Sequence, residues 1–198
     1  SHPYSKQRLE QLKKYKSKSS LSFKDNESVN TNDHKISLDY IKNKIKAYES
    51  EPFEILSKKK RNNFFNNYAQ VIAYQKVGKY ELAIKHLEIL KNTLPNYPFY
   101  YELAGDIYFS MGKYERSIKE YKKALKKLKD KYIYTNDLIK FSLVKSYLQS
   151  NKTEHLKASI IVLEQMIQNN PKWKILWRLL AKSSGKIGQK GITYIALA

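Results

Sequence analysis

The sequence predicts an all-α fold: a solenoid of about three to four stacked helical hairpins with a helical extension at the N-terminus. Three observations carry this. A segment starting at Phe64 can be laid over one starting at Pro98, thirty-four residues further on, with several positions agreeing at once. Apolar residues recur at helical rather than alternating spacing through most of the chain. Only 6 Gly and 5 Pro occur in 198 residues, too few for the many tight turns of an all-β fold.

In chain order, residues 5–16 read as a short basic helix with Leu9 and Leu12 on one face. Residues 17–35 are polar and without periodicity, the pattern of a flexible linker. Ser37 is a suitable N-cap for a lead-in helix in which Leu38, Ile41, Ile45 and Tyr48 fall at helical spacing. Pro52 ends that helix or opens the next turn. These elements make up residues 1–62, and the repeats take 63–198.

The first two repeats, 64–97 and 98–131, define the period. Tyr74 matches Tyr108, Gly78 matches Gly112, and Lys79-Tyr80-Glu81 matches Lys113-Tyr114-Glu115; Ile84 matches Ile118, and Pro95 closes the first repeat. The third, about 137–171, places Leu138, Phe141, Val144, Tyr147 and Leu148 on its first helix, with Asn151 in place of the turn glycine. About two residues are inserted before its second helix, whose buried stripe falls at Ile160, Leu163, Met166 and Ile167, and Pro171 closes it. A fourth, about 174–198, has Trp177, Leu180, Ala181 and Gly188 in register but is incomplete. Solenoids usually end in a polar cap; Ile192, Ile195 and Leu197 therefore imply an unfinished end or one covered by a partner.

Each recurring position has a physical reason. Small residues (Ala83, Ala104, Gly105) belong where two helix backbones cross closely. Gly78, Gly112 and Gly188 supply the left-handed residue that ends the first helix of each pair. Tyr74, Tyr80, Tyr108 and Tyr114 fill the space between hairpins, which cannot bury their apolar faces alone. A period of thirty-four with Tyr, Gly, Tyr, a small residue and Pro at these offsets resembles the tetratricopeptide repeat. In such a solenoid the first helix of each pair lines the concave side. That register puts Tyr68, Ile72 and Gln75 in the groove from repeat one, Glu102, Asp106 and Phe109 from repeat two, and Phe141, Lys145 and Leu148 from repeat three. The mixture suits a peptide or partner helix lying in a groove.

The formal net charge of +20 invites a nucleic-acid reading. Its make-up argues against one: Arg8, Arg61, Arg116 and Arg178 are the only arginines, and bidentate readout favours Arg. Lysine accompanied by many Asn, Ile and Tyr residues is also what A/T-rich codons produce. Lys122, Lys123, Lys126, Lys127, Lys129 and Lys131 read as a solvated helix end, where cations favour the helix dipole. The absence of Cys excludes disulfides, thiolate metal sites and cysteine nucleophiles. His2, His34, His86 and His155 are scattered, with no HExxH pair, and no phosphate-binding Gly-rich loop is present. Glu102 and Asp106, four apart on one helix, share a face and could contact a basic or polar peptide. No apolar run is long enough to span a membrane. The expectation is a non-enzyme without metal or cofactor of its own, whose partner is a protein or peptide. Because it begins at Ser1, the chain also reads as a piece or processed product of a longer one.

Three segments carry a closer resemblance. Ser1-His2-Pro3 followed by Arg8 is similar to the element that closes the catalytic domain of bacterial HtpX-like zinc peptidases, peptidase family M forty-eight, while the run from Asn96-Tyr97-Pro98 to Glu102-Leu103-Ala104-Gly105, and Trp177-Arg178-Leu179-Leu180-Ala181 with Gly188 and the terminal Ala196-Leu197-Ala198, are similar to the repeat-bearing tail of that family. The resemblance implies the non-catalytic tail of an envelope zinc endopeptidase engaged in protein quality control. Zinc and the HExxH helix would then belong to an upstream peptidase domain, itself a possible partner, with His2 near the metal in the intact enzyme. It also implies a periplasmic or envelope-associated location; without it a cytoplasmic one is expected.

Overall fold

The computed structural model describes residues 44–57, 64–128 and 133–197. All of them lie in one compact unit, Asp39–Ala198. The expected basic helix over 5–16, the linker over 17–35, Leu38, Ile41, His2, His34, Lys129 and Lys131 lie outside the described residues.

Every regular element among the described residues is helical. Residues 44–49 are helical, and α1 (Pro52–Ser57), which starts on a proline, follows. Then come α2 (Phe64–Lys76), α3 (Tyr80–Thr93), α4 (Pro98–Ser110), α5 (Tyr114–Lys127), α6 (Ile133–Ser150), α7 (Thr153–Asn169), α8 (Lys174–Lys186) and α9 (Lys190–Leu197). Each helix from α1 onward packs on the next, α5 on α6 included, and α4 also touches α6. The result is a stack of antiparallel pairs, α2–α3, α4–α5, α6–α7 and α8–α9, in which the first helices α4 and α6 touch.

The turns explain the pairing. At the end of α4, Gly112 sits at φ +69°. Its N–H donates to Phe109 O at 3.0 Å, and that of Lys113 donates to Tyr108 O at 2.9 Å. This double closure satisfies carbonyls the helix leaves unpaired. Gly78 and Gly188 repeat the φ, and Asn151 adopts φ +55°, which its short polar side chain tolerates better than most. After Asn151, α7 begins two residues later, as α5 does after Gly112. The expected insertion before the second helix of repeat three is therefore not in the turn. It is absorbed into the helix, which runs 17 residues against 14 for α5, and its buried stripe is Leu156, Ser159, Ile160, Leu163, Met166 and Ile167.

A further tie recurs between repeats. Tyr101 Oη donates to Pro95 O at 2.8 Å, and Trp177 Nε1 donates to Pro171 O at 2.9 Å, each across six residues. The fourth residue of a repeat thus pins the proline that closes the one before.

The core is three overlapping clusters along the chain. One runs from Ala47 through Tyr68, Val71, Ile72, Leu87 and Leu103 to Ile107. The next joins Ile118, Tyr121 and Ala124 to Ile139, Leu143 and Tyr147. The last joins Val144 and Leu148 through Leu163, Met166 and Leu180 to Ala196.

Three expectations need correction. Leu138, placed on the buried stripe of α6, is 58 % exposed; Ile139 beside it is buried instead. On the lead-in helix the apolar face was expected at Ile45 and Tyr48, but these are 52 % and 45 % exposed, and the residue that enters the core is Ala47. A methyl side chain lets this helix approach the repeats closely where a large one would hold it off. The lead-in residues also belong to the core of the first repeats rather than standing ahead of them: Ala47 is buried in the first cluster and Ile55 packs against it. At the other end, Ile192 packs on the last cluster while Tyr194, Ile195 and Leu197 are exposed.

Candidate functional site

Helices α2, α4 and α6 bring residues to one concavity of about 200 Å³. It is lined by Gln75 from α2, Asp106, Phe109 and Ser110 from α4, Tyr121 from α5, Ser142 and Lys145 from α6, and Tyr48 from the lead-in helix. Helical spacing explains the line-up on α4: Asp106, Phe109 and Ser110 lie three and four positions apart and so share one face.

Of the nine residues predicted for the groove, Gln75, Asp106, Phe109 and Lys145 are brought together here. Glu102, one turn before Asp106, is half-buried and its carboxylate lies 3.2 Å from Lys44 Nζ. Phe141 is half-buried and stacks on Trp173, ring centroids 5.4 Å apart. Tyr68, Ile72 and Leu148 do not line the groove. Tyr68 is 1 % exposed, with its ring beside Tyr100, and Ile72 and Leu148 are likewise core residues. Tyr68 and Ile72 share their cluster with Leu87, Tyr100, Leu103 and the lead-in residue Ala47. Leu148 shares its own with Leu156 and Ile160 of α7 and Leu180 of α8.

The electrostatics are mixed. Tyr121 Oη donates to Asp106 Oδ1 at 2.5 Å. Burial pushes the Asp106 carboxyl up to about 6; that hydrogen bond, Lys44 and Lys145 pull the other way, and Glu102 adds to the rise. Gln75 Oε1 is buried without a hydrogen-bond donor among the described residues. Lys145 holds its ammonium 5.3 Å from the centre of the Phe109 ring, and that ring meets Tyr114 edge-on at 5.6 Å. The floor therefore offers acceptors, one wall is aromatic, and the rim carries a cation.

Asp106 gives a prediction. Its proton is held more tightly in the folded than in the unfolded chain, where 3.8 applies. The folded state thus gains relative stability below about pH 4, and that gain is lost as the pH rises through about 6. Asp106→Asn keeps an acceptor for Tyr121 and removes the charge. The variant should be more stable than the wild type at pH 7.5, by on the order of 3 kcal/mol, with the difference vanishing near pH 4. Urea titrations at the two pH values measure it.

Sequence reasoning missed Lys44, Tyr48, Ser110, Tyr121 and Ser142. No reading of the sequence singled out Tyr121, and its packing against Gly105 shows only in the structure. Nothing in the repeat pattern points to Lys44 or Tyr48, because they precede the first repeat.

The lysine-rich end of repeat two is largely engaged. Lys123 pairs with Glu120 at 2.6 Å, and Lys127 donates to Asn96 Oδ1 at 2.9 Å. Both ammonium groups lie over Tyr101, and that of Lys122 lies over Tyr147. His155 is half-buried, 2.7 Å from Ser150 Oγ, with its ring against Tyr147, and His86 packs on Tyr74. Among the described residues no group of three His, Asp or Glu side chains could hold a metal ion, and no described helix is long and apolar enough to cross a membrane.

Residues 97–126, which cover α4 and most of α5, match the tetratricopeptide repeat family model. No curated protein matches the chain. The matched segment and the stack of consecutive antiparallel pairs around it make this protein a tetratricopeptide-type helical solenoid, an architecture whose repeats bind protein partners.

Proposed function

We propose that this protein binds a polypeptide partner in its concave groove, at the concavity between α2, α4 and α6. The observation that carries this is the convergence of unlike groups from separate repeats: the unpartnered Gln75 carbonyl oxygen, the Asp106 carboxylate, the Phe109 ring and the Lys145 ammonium. Repeat packing alone does not need them there. A peptide supplies N–H donors for the first two and apolar contact for the third, whereas a phosphate backbone would meet carboxylates on the floor.

The test is recovery of partners by the immobilised protein from an extract of its source, compared with the variant Phe109→Ala/Lys145→Ala. We expect the variant to recover about tenfold less, with an unchanged far-UV spectrum. Equal recovery would remove the groove assignment. Raising the salt from about 50 to about 200 mM distinguishes the charge-driven alternative. A contact to several phosphates loses about 10³ in affinity over that range; a groove burying an aromatic wall loses little.

The finer reading, that the solenoid serves an envelope zinc endopeptidase in protein quality control, rests on the resemblance at Ser1-His2-Pro3, Asn96–Gly105 and Trp177–Ala181. Finding a reading frame that continues upstream into an HExxH helix would support it. A stand-alone adaptor is the alternative.

A further inference from the structure

The groove over repeats one and two already has an occupant. Residues 44–50 lie against its inner face, held by three kinds of contact. Lys44 Nζ sits 3.2 Å from the Glu102 carboxylate and 5.9 Å from the centre of the Phe99 ring. Lys76 Nζ donates to Tyr48 O at 3.0 Å and to Ser50 O at 2.9 Å, capping carbonyls at the end of the short helix. Tyr48 lines the same concavity as Asp106. Phe99, Glu102 and Asp106 follow one another at three and four residues along a single face of α4. The segment thus does in cis what a partner helix would do in trans.

Its hold is weak by construction. The one fully buried side chain it contributes is the methyl of Ala47, while Ile45 and Tyr48 remain about half exposed. One partly buried ion pair and two hydrogen bonds from an exposed lysine complete the attachment. Segments with few buried apolar contacts open at the low end of a protein's stability range. The whole chain is strongly cationic, yet the group that Lys44 meets on α4 is the Glu102 carboxylate. At contact distance that local charge outweighs lysines beyond a Debye length of about 8 Å.

We propose that residues 44–50 are a displaceable cis occupant, and that the partner taking their place is a helix presenting a lysine or arginine and an aromatic residue four positions apart. The cation would meet Glu102 and Phe99, and the aromatic ring would enter beside Asp106. This rests on the groove reading above and specifies the partner that groove accepts.

The test uses the full chain and, as probe, a fluorescein-labelled peptide of residues 41–52. The variant Lys44→Glu/Tyr48→Ala loosens the cis segment without touching the groove floor. It should bind the probe at least tenfold more tightly than the wild type. Adding Glu102→Lys should abolish that binding, and a probe carrying the same two substitutions should bind neither chain. Equal affinity of wild type and variant, no binding by either, or indifference to Glu102→Lys would overturn the proposal. Hydrogen exchange on the unaltered chain gives an independent reading. Amides of residues 48–50 should exchange at least a hundredfold faster than those at the centre of α4, and equal protection would overturn displaceability. Failure of the probe together with loss of partners from Phe109→Ala/Lys145→Ala would discard the cis occupant and leave the proposed function standing. Failure of both would remove both.

Discussion

Tyr68→Ala should cost about 3–5 kcal/mol, the range for emptying the space of a large aromatic in a packed interior. Tyr68 is among the largest fully buried side chains, packed beside Tyr100 in the cluster that joins α2, α3 and α4 to Ala47. Its repeat position faces the groove, so from the sequence alone this substitution would be expected to weaken partner binding and leave the fold intact. The structure reverses that expectation. In a stacked array each pair rests mainly on its neighbours, so damage to one end need not spread. We expect α2 and α3 of the variant to lose protection from hydrogen exchange at lower urea than its α7 and α8. A Tyr68→Ala protein with wild-type urea midpoint and reduced partner binding would show that the ring lies open in the groove after all.

Gly105→Val should destabilise by about 3 kcal/mol, at the upper end for adding bulk to a packed core. A Cβ built at Gly105 would lie 2.5, 2.6 and 2.8 Å from the Cε1, Cδ1 and Cζ atoms of Tyr121. The ring has nowhere to retreat. Its hydroxyl is tied to Asp106, and it is buried in the cluster with Ile139, Leu143 and Tyr147. Repeat one shows how the space can be divided otherwise. Thirty-four residues earlier, Val71 stands for Gly105 and Leu87 for Tyr121, and both are buried. Two medium side chains there replace one absent and one large. Gly105→Val/Tyr121→Leu, which imports that pair, should recover at least 1 kcal/mol of the loss, a coupling typical of residues in contact. Recovery stays partial, because the double variant lacks the hydroxyl that donates to Asp106. Thermal or urea midpoints of the three variants check this; strict additivity would mean that Gly105 is not where the two helices touch.

Both predictions also measure how far the sequence could be read. Gly78, Gly112, Asn151 and Gly188 mark the ends of first helices because the backbone there must turn left-handed, a demand that few residue types meet and that therefore shows in the sequence. The buried stripe of α7 was legible for a similar reason: Ile160, Leu163, Met166 and Ile167 recur at a period that only one helix face satisfies. Gln75, Asp106, Phe109 and Lys145 followed from the same register. Leu138 was misplaced because Ile139 beside it is equally apolar, and a one-residue shift is settled by packing against α5 rather than by composition.

What the sequence determined by itself was the repeating unit: helix, left-handed turn, helix, proline, with small residues at the crossings. That information is local, since each requirement is met within thirty-four residues. What only the tertiary structure decided was which part of the inner face stays open. Residues 44–50 carry no repeat signature, yet they add Ala47 to the cluster that holds Tyr68 and Ile72, hold Glu102 in an ion pair and bring Tyr48 to the rim beside Asp106. Such a contact joins residues up to 58 positions apart, and whether it forms depends on close approach through Ala47 and on the charge of the surface it meets.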